Sequence, residues 1–274
     1  MKFVSTFLLV FLTACVKGEQ VSYTGSTPAN STVVRAFLGI PQPDSIDFIR
    51  WKIVWQDDKF SLKCNYGIGK PNTNGFMQGG KWVQLDGVIR KENHYFILES
   101  KNKILGLLEL NNSLLHILDA DKNLLVGNGG WSYTLNREKG PVSPPKVNFL
   151  TRQVILKDSM GFEGRTPCWD FPLVHNSPQC YKKKWLIVLY TDPGTKQPTT
   201  YHLNGNSKRE GGTKGKWKMK TGKEGKIIYQ LFSDKETIPL EMLVLDGNVL
   251  VFTDKEGRLL VGNEDFSYTL NRKW

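Results

Sequence analysis

The chain has 274 residues, 39% of them hydrophobic and 11% aromatic, with 26 Gly, 13 Pro and a formal charge of +11. That length accommodates two domains of ordinary size with packed cores, and the turn-rich, aromatic composition argues against a helical bundle. The excess of basic residues favours anionic partners and leaves their identity open.

The first fifteen residues read as an export signal. Lys2 supplies a short positive region, Phe3 to Leu12 an apolar run, and Leu12-Thr13-Ala14-Cys15 stands where processing occurs. The run is shorter than the ~20 residues a membrane-spanning helix needs. The polar stretch from residue 16 to residue 30, with Gly18, Gly25, Ser26 and Pro28, reads as a flexible tether.

A first repeat is expected over residues 31–138, opening with Val33 to Phe37 and turning through Gly39 to Asp44. Trp51, Ile53 and Trp55 alternate with polar or smaller neighbours as a strand, Asp57-Asp58 makes a turn, and Phe60 to Cys64 is the hairpin partner. A glycine-rich loop, Gly67 to Gly80, precedes extended structure at Lys81 to Val83. Short strands follow at Tyr95 to Leu98, Ile104 to Leu110, Leu114 to Leu118 and Leu124 to Val126. Cys64, at the end of an apolar strand, reads as a small buried hydrophobe.

The stretch Leu124 to Arg137, L-L-V-G-N-G-G-W-S-Y-T-L-N-R, is nearly repeated from Leu259 to Arg272. Leu115 maps to Leu250, Asp119 to Asp254 and Trp82 to Trp217 at the same spacing, so the chain is a tandem duplication. In each closing stretch Trp131, Tyr133 and Leu135 lie on one face and Ser132, Thr134 and Asn136 on the other, the pattern of a half-buried strand. Roughly eight such strands per repeat close into an antiparallel barrel, either filled or holding a small ligand. The expected fold is therefore all-β: two tandem lipocalin-like barrels joined by a Pro-rich linker at residues 139–146, the second spanning residues 147–274. In the second repeat, Phe162 to Cys168 is matched to Phe37 to Pro41, with about ten residues gained between Cys168 and Cys180.

Leu12 to Cys15 resembles the lipobox of bacterial lipoproteins, which implies acylation of Cys15 and anchoring in the outer membrane. Each repeat also resembles the N-terminal domain of the copper-resistance lipoprotein NlpE family. That resemblance is carried by Phe37, Gly39 and Pro41, Gly80 and Trp82, Leu118-Asp119, and Tyr133, Leu135 and Arg137. The second repeat matches at Phe162, Gly164, Pro167 and Cys168, Gly215 and Trp217, and Tyr268, Leu270 and Arg272. It implies a small barrel in an envelope lipoprotein concerned with stress sensing, adhesion or metal handling. The family's Cys-x-x-Cys element is absent.

Three site readings remain. Cys168 and Cys180 are a disulfide in an oxidising envelope, or with His175 they form a soft-metal site for copper or zinc. Lys182, Lys183, Lys184, Lys208, Arg209, Lys214, Lys216 and Lys218 are either an edge-protecting solvated face or a dock for anionic envelope glycan or lipid, with nucleic acid excluded by export. No nucleophile elbow, zinc-protease helix or phosphate loop occurs, and His94, His116, His175 and His202 are scattered. The expectation is a non-enzymatic binding or sensing module without a cofactor, its alternatives a metal-handling protein and an unrecognised envelope hydrolase.

Overall fold

The computed structural model describes residues 18–42, 44–70, 73–139, 154–168, 180–205, 212–222, 225–233 and 238–274. Cys15, His175, Lys208, Arg209 and the proline linker lie outside the described residues. The described residues form two closed eight-stranded antiparallel barrels. Barrel 1 contains β1 (Val21–Pro28), α1 (Thr32–Leu38), β2 (Phe48–Gln56), β3 (Lys59–Gly67), β4 (Lys81–Glu92), β5 (Tyr95–Ser100), β6 (Lys103–Asn111), β7 (Leu114–Ile117) and β8 (Thr134–Arg137). Barrel 2 contains β9 (Ser159–Thr166), β10 (Lys183–Thr191), β11 (Pro198–Gly205), β12 (Thr213–Thr221), β13 (Ile227–Phe232), β14 (Leu240–Val244), β15 (Val249–Phe252) and β16 (Thr269–Arg272). Each barrel runs as a simple meander, and its last strand pairs with its first.

Alternation fills both lumens. Trp51, Ile53, Leu62, Leu98, Leu107 and Leu135 point into barrel 1, and Phe162, Trp185, Ile187, Tyr229, Met242 and Leu270 into barrel 2. An eight-stranded barrel has an interior just wide enough for side chains. Cys64 is fully buried among them, and burial pushes its thiol pKa well up, as its sequence setting suggests.

Three expectations are corrected. The stretch read as a tether contains β1, which pairs with β2 along all eight residues and closes the barrel onto β8. Its small polar residues are packed: Thr24 Oγ1 donates to the Trp51 carbonyl oxygen, and Thr27 Oγ1 accepts from Trp51 Nε1 at 2.9 Å.

The opening stretch Val33 to Phe37 is the helix α1. Ser31 caps its first turn and Gly39 ends it at φ 71°. Val34, Phe37 and Leu38 pack into the barrel 1 core, while buried Arg35 donates to the carbonyls of Ala29, Pro41, Gln42 and Asp44. One guanidinium thereby ties the helix to the end of β1 and to the following loop.

The repeat register is also different upstream. Tyr23-Thr24-Gly25-Ser26-Thr27-Pro28 occupies the place of Phe162-Glu163-Gly164-Arg165-Thr166-Pro167: Tyr23 faces Arg137 as Phe162 faces Arg272, and Trp185 Nε1 donates to Thr166 Oγ1 as Trp51 does to Thr27. Phe37 to Pro41 is not the counterpart of Phe162 to Cys168. Nor is Trp82 the counterpart of Trp217, since Trp82 is 69% exposed and Trp217 1%. Gly87 is the true partner of Gly215. A Cβ on Gly87 would collide with the Glu99 carbonyl oxygen and the Phe60 ring, and one on Gly215 with the Phe232 carbonyl oxygen and the Tyr201 ring. Ile89 therefore stands where Trp217 does.

Candidate functional site

The polar face of the closing strands, read from sequence as facing solvent, is buried between the two barrels. Ser132, Thr134 and Asn136 on one side meet Ser267, Thr269 and Asn271 on the other, all below 7% exposure. The contacts are reciprocal. Gly262 N donates to Asn136 Oδ1 at 2.8 Å, and Gly127 N donates to Asn271 Oδ1 at 2.8 Å. Asn136 Nδ2 donates to the Asn263 carbonyl, and Asn271 Nδ2 to that of Asn128. On the axis relating the barrels, the Ser132 and Ser267 hydroxyls lie 2.6 Å apart, and Thr269 Oγ1 donates to Thr134 Oγ1 at 3.0 Å.

An apolar strip beside these bonds obeys the same symmetry. Leu108, Leu110, Leu114 and Leu124 pack with Leu243, Leu245, Val249 and Leu259, their counterparts in the other repeat. This is the isologous arrangement of a twofold homodimer, realised within one chain.

The symmetry is broken at His116, which stands where barrel 2 has Val251. His116 is fully buried, with Nε2 2.9 Å from the Leu125 carbonyl and Nδ1 2.9 Å from Thr134 Oγ1. Nε2 must carry the proton for the carbonyl, so Nδ1 accepts from Thr134, which in turn accepts from Thr269. Burial pulls the His116 pKa down to about 4. It is a neutral structural histidine without a reacting partner.

A second asymmetry lies at one flank of the seam. Arg50 and Asn74 of barrel 1 and Tyr181 beside barrel 2 converge on Asp265, Tyr181 Oη donating to Oδ2 at 2.7 Å and Asn74 Nδ2 to Oδ1 at 3.0 Å. Trp131 stacks on Phe48 at 4.7 Å between ring centres and donates through Nε1 to Asn74, while Arg165 of barrel 2 lies over the Trp131 ring. These groups are paired with one another, so the cluster is a clamp between barrels.

Cys168 and Cys180 are joined by a disulfide with Cα atoms 5.9 Å apart, the first of the two readings of this pair. The bond also corrects the Cys168, His175 and Cys180 metal reading. Sulfurs bonded to each other are not thiolates, and the thiolate is the form in which cysteine ligates copper(I) or zinc. Among the described residues no group of three or more His, Cys, Asp or Glu side chains converges as metal ligands.

The basic residues do not form one patch. Lys182 and Lys183 are buried, at 7% and 3% exposure, and Lys182 Nζ lies near the Tyr181 and Phe266 rings. Burial lowers the Lys182 pKa. These two residues leave the proposed anion-binding surface because they are buried. Lys184, Lys214, Lys216 and Lys218 are exposed, and Lys220 joins the last three on the outer face of β12. The edge-protection reading of that strand is overturned, because β12 pairs with β11 on one side and β13 on the other.

Sequence reasoning missed the seam and the Asp265 clamp. The only available signal was the unvarying Ser, Thr and Asn set on both closing strands, which a solvent-facing surface does not require. Comparison with known proteins adds nothing further: no family model, no curated protein and no solved structure matches the chain.

Proposed function

We propose that the chain is an exported, lipid-anchored binding or sensing module of a bacterial envelope, kin to NlpE-type proteins, and not an enzyme. The filled interior of both barrels carries this reading, since side chains from every wall occupy the space where a lipocalin would hold a ligand or an enzyme a substrate. Binding then falls to the outer walls. The Cys168–Cys180 bond supports export, because such a bond persists in oxidising compartments. Leu12-Thr13-Ala14-Cys15 supports the anchor, and β1 begins at Val21, so a short spacer holds barrel 1 near its membrane. Among the described residues no helix is long and apolar enough to cross a membrane. The family pattern read at Phe37, Gly39 and Pro41 moves to Tyr23, Gly25 and Pro28 in the true register.

The test is acylation. Cells expressing the chain and fed labelled palmitate should yield a mature protein beginning at a lipidated Cys15, and Cys15→Ser should abolish both label and membrane retention. An unmodified, soluble product of the unaltered chain would contradict the proposal.

A further inference from the structure

The outer wall of β12 carries Lys214, Lys216, Lys218 and Lys220 at every second position, all exposed. Successive outward residues on a strand lie about 7 Å apart, so the four ammonium groups form one row about 20 Å long. Their cross-strand neighbours are His202 and Thr200 on β11, and Phe232, Gln230 and Ile228 on β13. None of these is acidic. Among the described residues none of the four lysines has an ion-pair partner, and Lys218 Nζ instead lies 5.3 Å from the centre of the Phe232 ring.

The other repeat provides an internal control. With Gly87 at the place of Gly215, the same four outward positions on β4 hold Asp86, Val88, Arg90 and Glu92. Arg90 pairs there with Glu99 at 3.1 Å. A barrel wall of this construction therefore stands with mixed charge, and neither fold nor closure calls for a row of four like charges that repel one another. A row of this kind points to a ligand that neutralises it.

Resting on the reading of the chain as a binding module, we infer that the β12 wall docks a linear anionic glycan carrying carboxylate groups along its length. A single row on a convex wall matches one extended chain better than a plane of lipid headgroups. The flanking residues suit sugar as well: exposed Thr200 offers a hydrogen bond to a hydroxyl, and half-buried Phe232 offers an apolar face.

The experiment measures binding of the full-length chain, in neutral detergent, to fluorescently labelled polygalacturonate by anisotropy across a salt series. A ladder variant takes the residues of the other repeat: Lys214→Asp, Lys216→Val, Lys218→Arg and Lys220→Glu. A charge control carries Lys59→Glu and Lys63→Glu on barrel 1. Thermal melting confirms that each variant is folded, and cysteine-free rescue is unnecessary because no cysteine is touched. The unaltered chain is expected to bind with an affinity that falls steeply as salt rises, and the control to follow it within about twofold. The ladder variant is expected to bind at least about tenfold more weakly with little salt dependence. Absence of binding by the unaltered chain, or equal binding by a folded ladder variant, overturns the inference. So does displacement of the glycan by phosphatidylglycerol micelles that themselves require the ladder, which would make the wall a headgroup site. None of these outcomes bears on Cys15 acylation, so the anchoring proposal stands or falls separately.

Discussion

The two barrels agree where they touch and differ where they face outward. At the seam, Ser132, Thr134 and Asn136 are matched residue for residue by Ser267, Thr269 and Asn271, and each asparagine receives the same backbone N–H from the other repeat. Between first and second strands the solutions diverge: barrel 1 inserts α1 and Arg35, whereas barrel 2 has the Cys168–Cys180 bond in the same connection. On the outer walls, β4 carries mixed charge and β12 carries lysines. A self-complementary face constrains both copies at once, since a change on one side leaves a buried group unpaired on the other. An outer wall has no such partner and can be adapted to a ligand in one copy alone.

The strongest break in this comparison comes from removing the shared asparagines. Asn136→Ala with Asn271→Ala leaves the part-buried N–H groups of Gly262 and Gly127 without their acceptors and the Asn263 and Asn128 carbonyls without their donors, and the expected loss is about 4 kcal/mol in total. Calorimetry should resolve the single joint unfolding of the unaltered chain into two transitions. A single transition of unchanged midpoint would mean that the barrels are coupled by something else.

Replacing the odd member of the seam sharpens the comparison next. His116 is neutral when folded and its pKa is depressed to about 4 from 6.5, so its contribution is complete above the ordinary histidine value. Stability drains as pH falls from about 6.5 to about 4, by roughly 3 kcal/mol, because protonation must break the bond to Thr134 and charge a buried ring. His116→Val, which installs the residue of the other repeat, should remove that slope. The difference between the two chains' denaturant midpoints against pH isolates it from the carboxylates, and parallel curves would refute the assignment.

Of similar size, but confined to one barrel, is the effect of reduction. Opening the Cys168–Cys180 bond releases a short loop and should cost about 3 kcal/mol in the chain-entropy picture. Hydrogen exchange should quicken in β9, β10 and their neighbours and stay unchanged in β1 to β5. Equal loss of protection in both barrels would show that reduction acts through the seam.

Much of this architecture could be read from residue order. Period-2 alternation at Trp51, Ile53 and Trp55 marked β2, the repeated closing words marked two barrels, and the Cys168 and Cys180 pair followed from the expectation of an oxidising compartment. The upstream register was concealed because loops differ in length between the copies. The offset is 139 residues from Tyr23 to Phe162, 134 from Trp51 to Trp185 and 128 from Gly87 to Gly215, before it settles at 135 from Leu107 to Met242. Trp82 and Trp217 share the last spacing by coincidence, at a point where the true offset is different. β1 was hidden by its small polar residues, whose role is to bond Trp51 within the barrel. The seam was hidden for a related reason: Ser, Thr and Asn on alternate positions look solvated until a second copy supplies their partners.

The central claim is the placement of Ser132 against Ser267 on the axis between the barrels. Ser132→Cys with Ser267→Cys should therefore cross-link spontaneously in air, because the replaced hydroxyls are 2.6 Å apart. Peptide mapping by mass spectrometry under non-reducing conditions should recover one peptide containing both cysteines, and cleavage of the chain between the barrels should leave the halves covalently joined. Two free thiols at positions 132 and 267, with halves that separate on cleavage, would contradict the account.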